Sequence, residues 1–255
     1  MKQDDTCKDV ERSIIKKYRK QIWCKFTKAI NEYELIQDGD KIAVCISGGK
    51  SSMLMAKLFQ ELERHGKKNF ELAFVVVDPG DGQLDCALLR HNADILNVPF
   101  TVFDTGNFES AARELGCNKA ALGHHFDDVA ETILAGMLYG AQIRTLMPKL
   151  HSADFDGIQL IRPMYLIREE DIIHWMHYNE LKFSESVGIF AGNDAFRAVG
   201  KKDEREKIKQ LIREMEKKNP AVAKNIFRSV ENVNVDTIIA YEKDGVGHHF
   251  LEGYD

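Results

Sequence analysis

Lys41-Ile42-Ala43-Val44-Cys45-Ile46-Ser47-Gly48-Gly49-Lys50-Ser51-Ser52 is the stretch that decides the fold. Its first part is short, apolar and β-branched, as a buried strand requires, and the character then changes at the two glycines. From Met53 the chain continues as an amphipathic helical pattern that stops at Gly66. A buried strand that breaks at paired glycines and resumes as a helix aims backbone N–H groups and the positive end of the helix dipole at one spot, which favours an anion. Paired glycines let the main chain approach phosphate closely, and they equally serve a plain strand-to-helix turn that needs unusual φ angles. Gly49-Lys50-Ser51 ends like a Walker A loop, but that loop needs a glycine five residues before Gly49, where Val44 stands inside the strand.

Outward from this turn the chain alternates. Upstream, residues 1–36 read as a helical segment with Val10, Ile14, Tyr18 and Ile22 four apart on one face, closed by the turn Asp38-Gly39-Asp40. Downstream, Phe70–Asp78 reads as a second buried strand, Leu84–Leu96 as a helix, Val98–Asp104 as a strand and Phe108–Leu115 as a short helix. Lys119–Gly123 follows as a strand, Asp127–Tyr139 as a helix, Ile158–Ile161 as a strand and Glu169–Tyr178 as a helix. Strands alternating with helices predict right-handed βαβ crossovers and an α/β, Rossmann-like parallel sheet with helices on both faces. After Phe183 the alternation is lost, and a helical tail is expected over Lys201–Lys218 and Ala221–Val233. The expected organisation is an N-terminal helical segment (1–36), a nucleotide-binding α/β domain (37–183) and a helical C-terminal extension (184–255).

Ligands of such sheets sit at the carboxyl ends of strands where the topology reverses. Two glycine-bearing polar strand ends, Ser47–Ser52 and Gly123–Asp128, are predicted to open onto that edge. The second belongs to Leu122-Gly123-His124-His125-Phe126-Asp127-Asp128-Val129-Ala130-Glu131-Thr132. Its three acids fall in the first turns of a helix, where carboxylates suit the dipole, and Asp127 reads as an N-cap. Two histidines and three acids exceed what capping needs, and carboxylate oxygens there suit Mg²⁺. Zinc is disfavoured because no close cysteine pair completes a tetrahedral set.

The whole-chain numbers fit this reading. With 255 residues, 44 % hydrophobic and five prolines, the chain is long enough to bury a sizeable core. The sequence has no apolar run long enough for a membrane span and no signal peptide, so a cytoplasmic protein without a membrane partner is expected. Cys7, Cys24, Cys45, Cys86 and Cys117 are widely spaced, which predicts reduced, mostly buried thiols. A formal charge of −5 gives no overall basic footprint, yet residues 197–228 hold eleven Lys/Arg against five acids, and residues 8–34 hold eight against four. Each basic stretch reads either as a solvated helix face or as a surface for a polyanion. His248-His249 and the tryptophans Trp23 and Trp175 read as tail and core residues respectively.

Taken in order, the strand with Ser-Gly-Gly-Lys-x-Ser, the segment ALGHHFDDVAET and the later LIRPMYLIREEDI resemble the PP-loop ATP pyrophosphatases. Within them the chain is most similar to the tRNA 2-thiocytidine biosynthesis (TtcA-type) sulfurtransferases, over about Lys41 to Val235. The resemblance implies that ATP adenylates a base carbonyl of tRNA with release of pyrophosphate, after which sulfur displaces AMP. It further implies that Ser47, Gly48, Gly49, Lys50, Ser51 and Ser52 cradle the phosphates and that Gly123 contacts the nucleotide. Lys50 and Asp128 would be the catalytic groups, with Asp128 also assisting Mg²⁺, and Arg162 matches the family's Arg-Pro pair. ATP, Mg²⁺, tRNA and a sulfur-donor protein are the implied cofactors and partners; pairing into a homodimer is left open.

Two departures qualify the reaction. The family loop carries aspartate where this chain has Ser51. The segment VFDTGNFESAARELGCNKAALGHH also lacks the family's Cys-x-x-Cys, and LKFSESVGIFAGNDAF holds no cysteine, so no iron–sulfur cluster is expected. Three readings follow: an active tRNA-modifying enzyme with a different sulfur or nitrogen route, a lapsed paralogue that binds nucleotide or tRNA, and a small-molecule adenylating enzyme.

Overall fold

A computed structural model describes residues 2–78, 80, 84–104, 107–183 and 202–254. The predicted tail residue Lys201, the boundary at 183/184 and most of the turn after Asp78 fall outside them.

The N-terminal segment comprises α1 (Lys2–Arg12), two π-helical turns over Ser13–Lys17 and Arg19–Trp23, and α2 (Cys24–Glu32). The π-turns have a reason. At 3.6 residues per turn, apolar residues spaced four apart drift by about 40° per step. Wider turns, such as the one closed by Tyr18 N–H donating to Ser13 O at 2.9 Å, bring the stripe back into register. Val10, Ile14, Ile22 and Phe26 are all buried as a result, while Tyr18 is half-buried.

β1 (Lys41–Ile46), α3 (Lys50–His65), β2 (Glu71–Val77), α4 (Cys86–Leu96), β3 (Thr101–Phe103), α5 (Phe108–Glu114) and β4 (Lys119–Ala121) then alternate as predicted. α6 (Phe126–Gly140), β5 (Lys149–His151), β6 (Gln159–Ile161), α7 (Glu169–Tyr178), α8 (Lys202–Lys218) and α9 (Val222–Ser229) follow. The sheet order is β3-β2-β1-β4-β6-β5, parallel except for the edge strand β5. The chain moves outward from β1 to β3 and then crosses back to lay β4 on the other side of β1. The topology therefore reverses between β1 and β4.

Alternation along β1 sorts the two faces. Ile42, Val44 and Ile46 join the larger core with Met53, Leu54, Phe59 and Trp175, which also takes in the N-terminal segment. Ala43 and Cys45 face the thinner layer under α5, with Phe108, Ala111, Ala112 and Cys117. Trp175 and Trp23 are core residues as expected, the second only partly buried.

The structure corrects several expectations. α3 does stop at Gly66, which is extended and must be glycine because a Cβ would lie 2.3 Å from Leu62 O. His125, not Asp127, is the N-cap of α6. The expected helical tail is present as α8 and α9, and beyond it an unpredicted hairpin, β7 (Ala240–Lys243) and β8 (Val246–His249), carries His248-His249. His248 lies 3.2 Å from Glu252, and among the described residues no cluster of three or more His, Cys, Asp or Glu suits a metal. Cys7, Cys45 and Cys117 are buried, but Cys24 and Cys86 are exposed. Among the described residues no helix is long and apolar enough to cross a membrane.

Candidate functional site

The two glycine-bearing strand ends meet at the reversal point. Gly48 takes φ +79°, a left-handed value that disfavours other residues, and Gly49 caps α3 in extended conformation. The Ser52 hydroxyl braces the turn from beneath. It accepts from Ser47 N–H at 3.1 Å, lies 3.2 Å from Ser47 Oγ and donates to Gly49 O at 3.0 Å. Ser52 is thus a buried strut of the loop, while Lys50 and Ser51 sit half-buried in the first turn of α3. Two residues past the end of β4, Gly123 presses on that turn. A Cβ there would meet Ser52 N at 3.3 Å and Ser52 Cα at 3.4 Å, both backbone atoms of the helix start. The structure brings Ser47–Ser52, Gly123 and Asp128 to one edge, and it gives Gly123 a packing role against the loop.

Beyond Gly123 the chain turns into α6 through a capping box. Asp128 Oδ2 accepts from His125 N–H at 2.8 Å, and the His125 ring accepts from Asp128 N–H at 3.4 Å. The second Asp128 oxygen is held by Arg205 of α8. Burial alone would raise the Asp128 carboxyl, but His125 and Arg205 beside it hold it well below the usual carboxylate range. Asp127 faces α7 instead, accepting from Glu169 N–H at 2.6 Å and from Arg168 at 3.0 Å. His124, next to Gly123, accepts at Nδ1 from the buried Arg162 at 3.2 Å, so its other ring nitrogen carries the proton. Burial and the Arg162 charge push His124 down to about 3, which keeps it neutral at working pH. Arg162 also donates to Met147 O at 2.6 Å.

One carboxylate organises the cations. Glu169 receives Lys50 Nζ at 3.2 Å, Lys209 Nζ at 2.7 Å and Arg213 at 3.5 Å. Burial works against its charge, yet the Lys209 hydrogen bond and the neighbouring charges hold it at about 2. Sequence reasoning missed Glu169, Arg205, Lys209 and Arg213. The signal was present in part, since Arg205, Lys209 and Arg213 recur at four-residue spacing on one face of a helix. Instead of a solvated face, this stripe lies on the acids at the sheet's edge.

Glu131 shares Arg205 with Asp128, at 3.2 Å. One guanidinium serves two buried carboxylates, and Asp128 keeps its charge at the other's expense. Burial and the Asp128 charge push Glu131 up to about 7, although Arg205 pulls down. The folded value stands above the usual 4.5, so the associated stability is fully present below about pH 4.5 and is lost as pH rises through about 7. Glu131→Gln keeps the shape and cannot ionise. Its thermal stability is expected to match the wild type near pH 5 and to exceed it above pH 8, by at most about 3 kcal/mol. Parallel pH profiles of the two proteins in thermal denaturation would reject this if they show no divergence.

The five cysteines are spread over several elements of the fold. Cys45 and Cys117 are packed in the apolar layer under α5, and burial raises both thiols. Cys86 is exposed at the start of α4, 3.6 Å from Asp78, while Cys7 and Cys24 lie on the N-terminal segment.

Comparison with known proteins settles the family. A model of the PP-loop domain matches residues 106–187, the part that holds His124, Asp128 and Arg162. A tRNA-cytidine(32) 2-sulfurtransferase of Alcanivorax borkumensis is 28 % identical, covering 90 % of this chain and 86 % of its own. The same enzyme of Bdellovibrio bacteriovorus is 31 % identical, covering 88 % of this chain and 90 % of its own. This chain belongs to the tRNA-cytidine(32) 2-sulfurtransferase family. Among solved structures, the U34-tRNA thiolase NcsA of Methanococcus maripaludis, determined with its [4Fe-4S] cluster, superposes with a TM-score of 0.61. At 18 % identity, covering 81 % of this chain and 76 % of that one, it supports the fold alone.

Proposed function

We propose that this chain binds Mg-ATP at the crevice between β1 and β4 and uses it to adenylate a cytidine of tRNA. The observation that carries the reading is the convergence of the glycine loop, Lys50 and Gly123 at the reversal point of the sheet. The carbonyl oxygen at position 2 of the base attacks the α-phosphorus, and pyrophosphate leaves. A sulfur nucleophile delivered by a donor protein then attacks that carbon and releases AMP. Adenylation needs no protein nucleophile; it needs cationic and N–H groups where pyrophosphate charge develops. The loop N–H groups and Lys50 supply them. Magnesium bound with ATP would neutralise phosphate charge, with Asp128 as the carboxylate available to it once Arg205 turns away. His124, neutral and fixed by Arg162, orders the edge facing the base.

A second reading, a lapsed enzyme kept for binding, is favoured by Ser51 and by the dispersed cysteines. One experiment separates them. Purified protein is incubated with Mg-ATP, with and without bulk tRNA, and AMP plus pyrophosphate is resolved from ADP plus phosphate, with Ser51→Asp alongside. AMP that rises with tRNA is the expected product, and Ser51→Asp is expected to raise its rate by on the order of a hundredfold. AMP from Ser51→Asp alone would mark a lapsed enzyme, and ADP would overturn the adenylation chemistry.

A further inference from the structure

The two basic stretches of the sequence meet different fates. On α8 the inward cations are spent on Asp128, Glu131 and Glu169. On the N-terminal segment, Arg12, Lys16, Lys17, Arg19 and Lys20 stand within nine positions that contain no acid. All five are exposed, and among the described residues none is ion-paired. The acid just before them, Glu11, is turned inward to the buried Lys57 and to Arg64, both at 2.8 Å. Folding therefore leaves this surface more basic than its sequence.

These cations border a groove of about 640 Å³ between the π-turns and the end of α7, lined by Arg12, Lys16, Lys17 and Tyr178, with Asp9 and Glu180 opposing them. Lys17 Nζ sits 3.3 Å from the Tyr178 ring centroid, and the ring remains half exposed. Tyr18 meets it edge-on at 5.9 Å and is itself fixed by donating to His174 O at 2.9 Å. Exposed cations outside any ion pair, beside an exposed ring, form the combination that tracks a phosphate backbone and stacks a base. α7 connects this groove to the nucleotide crevice, since its first residue Glu169 holds Lys50 and its last is Tyr178. Ten helical residues span about 15 Å, or about four stacked nucleotide steps at 3.4 Å each.

We infer that the groove at Lys16, Lys17 and Tyr178 is an RNA-backbone site that holds a tRNA while its reactive base enters the crevice. This rests on the reading that tRNA is the substrate. An acidic protein would satisfy the cations but would make no use of the presented ring.

The test is equilibrium binding of fluorescent bulk tRNA over a series of salt concentrations, with Mg-ATP binding and far-ultraviolet circular dichroism run on every protein. Lys16→Ala/Lys17→Ala/Lys20→Ala is expected to weaken tRNA binding about tenfold or more and to flatten the plot of log K against log salt by roughly two to three. Tyr178→Ala is expected to lose about fivefold or more with the slope unchanged, while Tyr178→Phe keeps the ring and the affinity. ATP binding and fold should be unaltered in all three. Wild-type chain that binds tRNA, with the triple variant showing the same affinity and slope, would overturn the groove alone. Wild-type chain that binds Mg-ATP but no tRNA would overturn the RNA reading itself.

Discussion

Lys50→Met is expected to slow AMP formation by a factor on the order of 10² to 10³ while leaving the fold intact. Lys50 is the cation carried by the glycine loop itself, and its ammonium waits 3.2 Å from Glu169 at the crevice rim. Arriving phosphates compete with that carboxylate for it. Pyrophosphate leaving from the α-phosphorus gathers negative charge in the transition state, so a fixed positive group contributes most at that moment. Methionine keeps the stem and removes only the charge. Stability should change by less than about 1 kcal/mol, because the pair is partly solvated and Glu169 retains Lys209 and Arg213. Single-turnover AMP formation and a thermal melt check both halves. Unchanged turnover would show that Lys50 never reaches the phosphates. If the wild type binds ATP without turnover, the same loss is expected as a Kd raised about tenfold or more.

The long apolar strands were legible because burial on both faces leaves a sequence no choice. β1 and β2 fall where Lys41–Ser47 and Phe70–Asp78 predict them. Shorter strands were over-read at their ends. Val98–Asp104 pairs only over Thr101–Phe103, since Pro99 has no N–H to give and Val98 N–H is already committed to Ala93 O at the end of α4. β5 was missed because Lys149-Leu150-His151 offers one apolar residue on an edge that needs no more. The C-terminal hairpin had a signal that went unread: Asp244-Gly245, both at positive φ, is the two-residue turn that right-twisted strands prefer.

The site divides along the same line. Glycines, lysine and the His-His-x-Asp-Asp order are local, so the loop and strand end could be read from neighbours in sequence. The ion-pair network is not local. Lys209 reaches Glu169 across 40 positions and Arg205 reaches Asp128 across 77, and nothing in either segment names its partner. Only the stripe spacing on α8 shows that one of its faces acts as a unit. Charge counting alone assigned that stripe to solvent or to a polyanion, whereas folding spends it on the protein's own acids and leaves Arg12, Lys16, Lys17, Arg19 and Lys20 exposed and, among the described residues, outside any ion pair.

That network yields the second large effect. Arg205→Ala is expected to destabilise the chain by about 3 kcal/mol near pH 8, because a buried charge left without its partner costs more than the pair contributes. Asp128 and Glu131 lie three apart on one face of α6, and Arg205 is bonded to both. Without it, each carboxylate raises the other's proton affinity beyond what burial already does to Glu131. Folded values moved upward mean stability that is kept at low pH and lost as pH rises. The deficit should therefore shrink toward pH 5, where protonation relieves the repulsion. Adding Glu131→Gln removes one of the two charges, so Arg205→Ala/Glu131→Gln should recover about half of the loss, a coupling visible only in a double-mutant cycle. Urea titrations of the four proteins at pH 5 and pH 8 measure it. A deficit independent of pH, or a double variant that is additive, would mean that Arg205 serves only to pack α8 against α6.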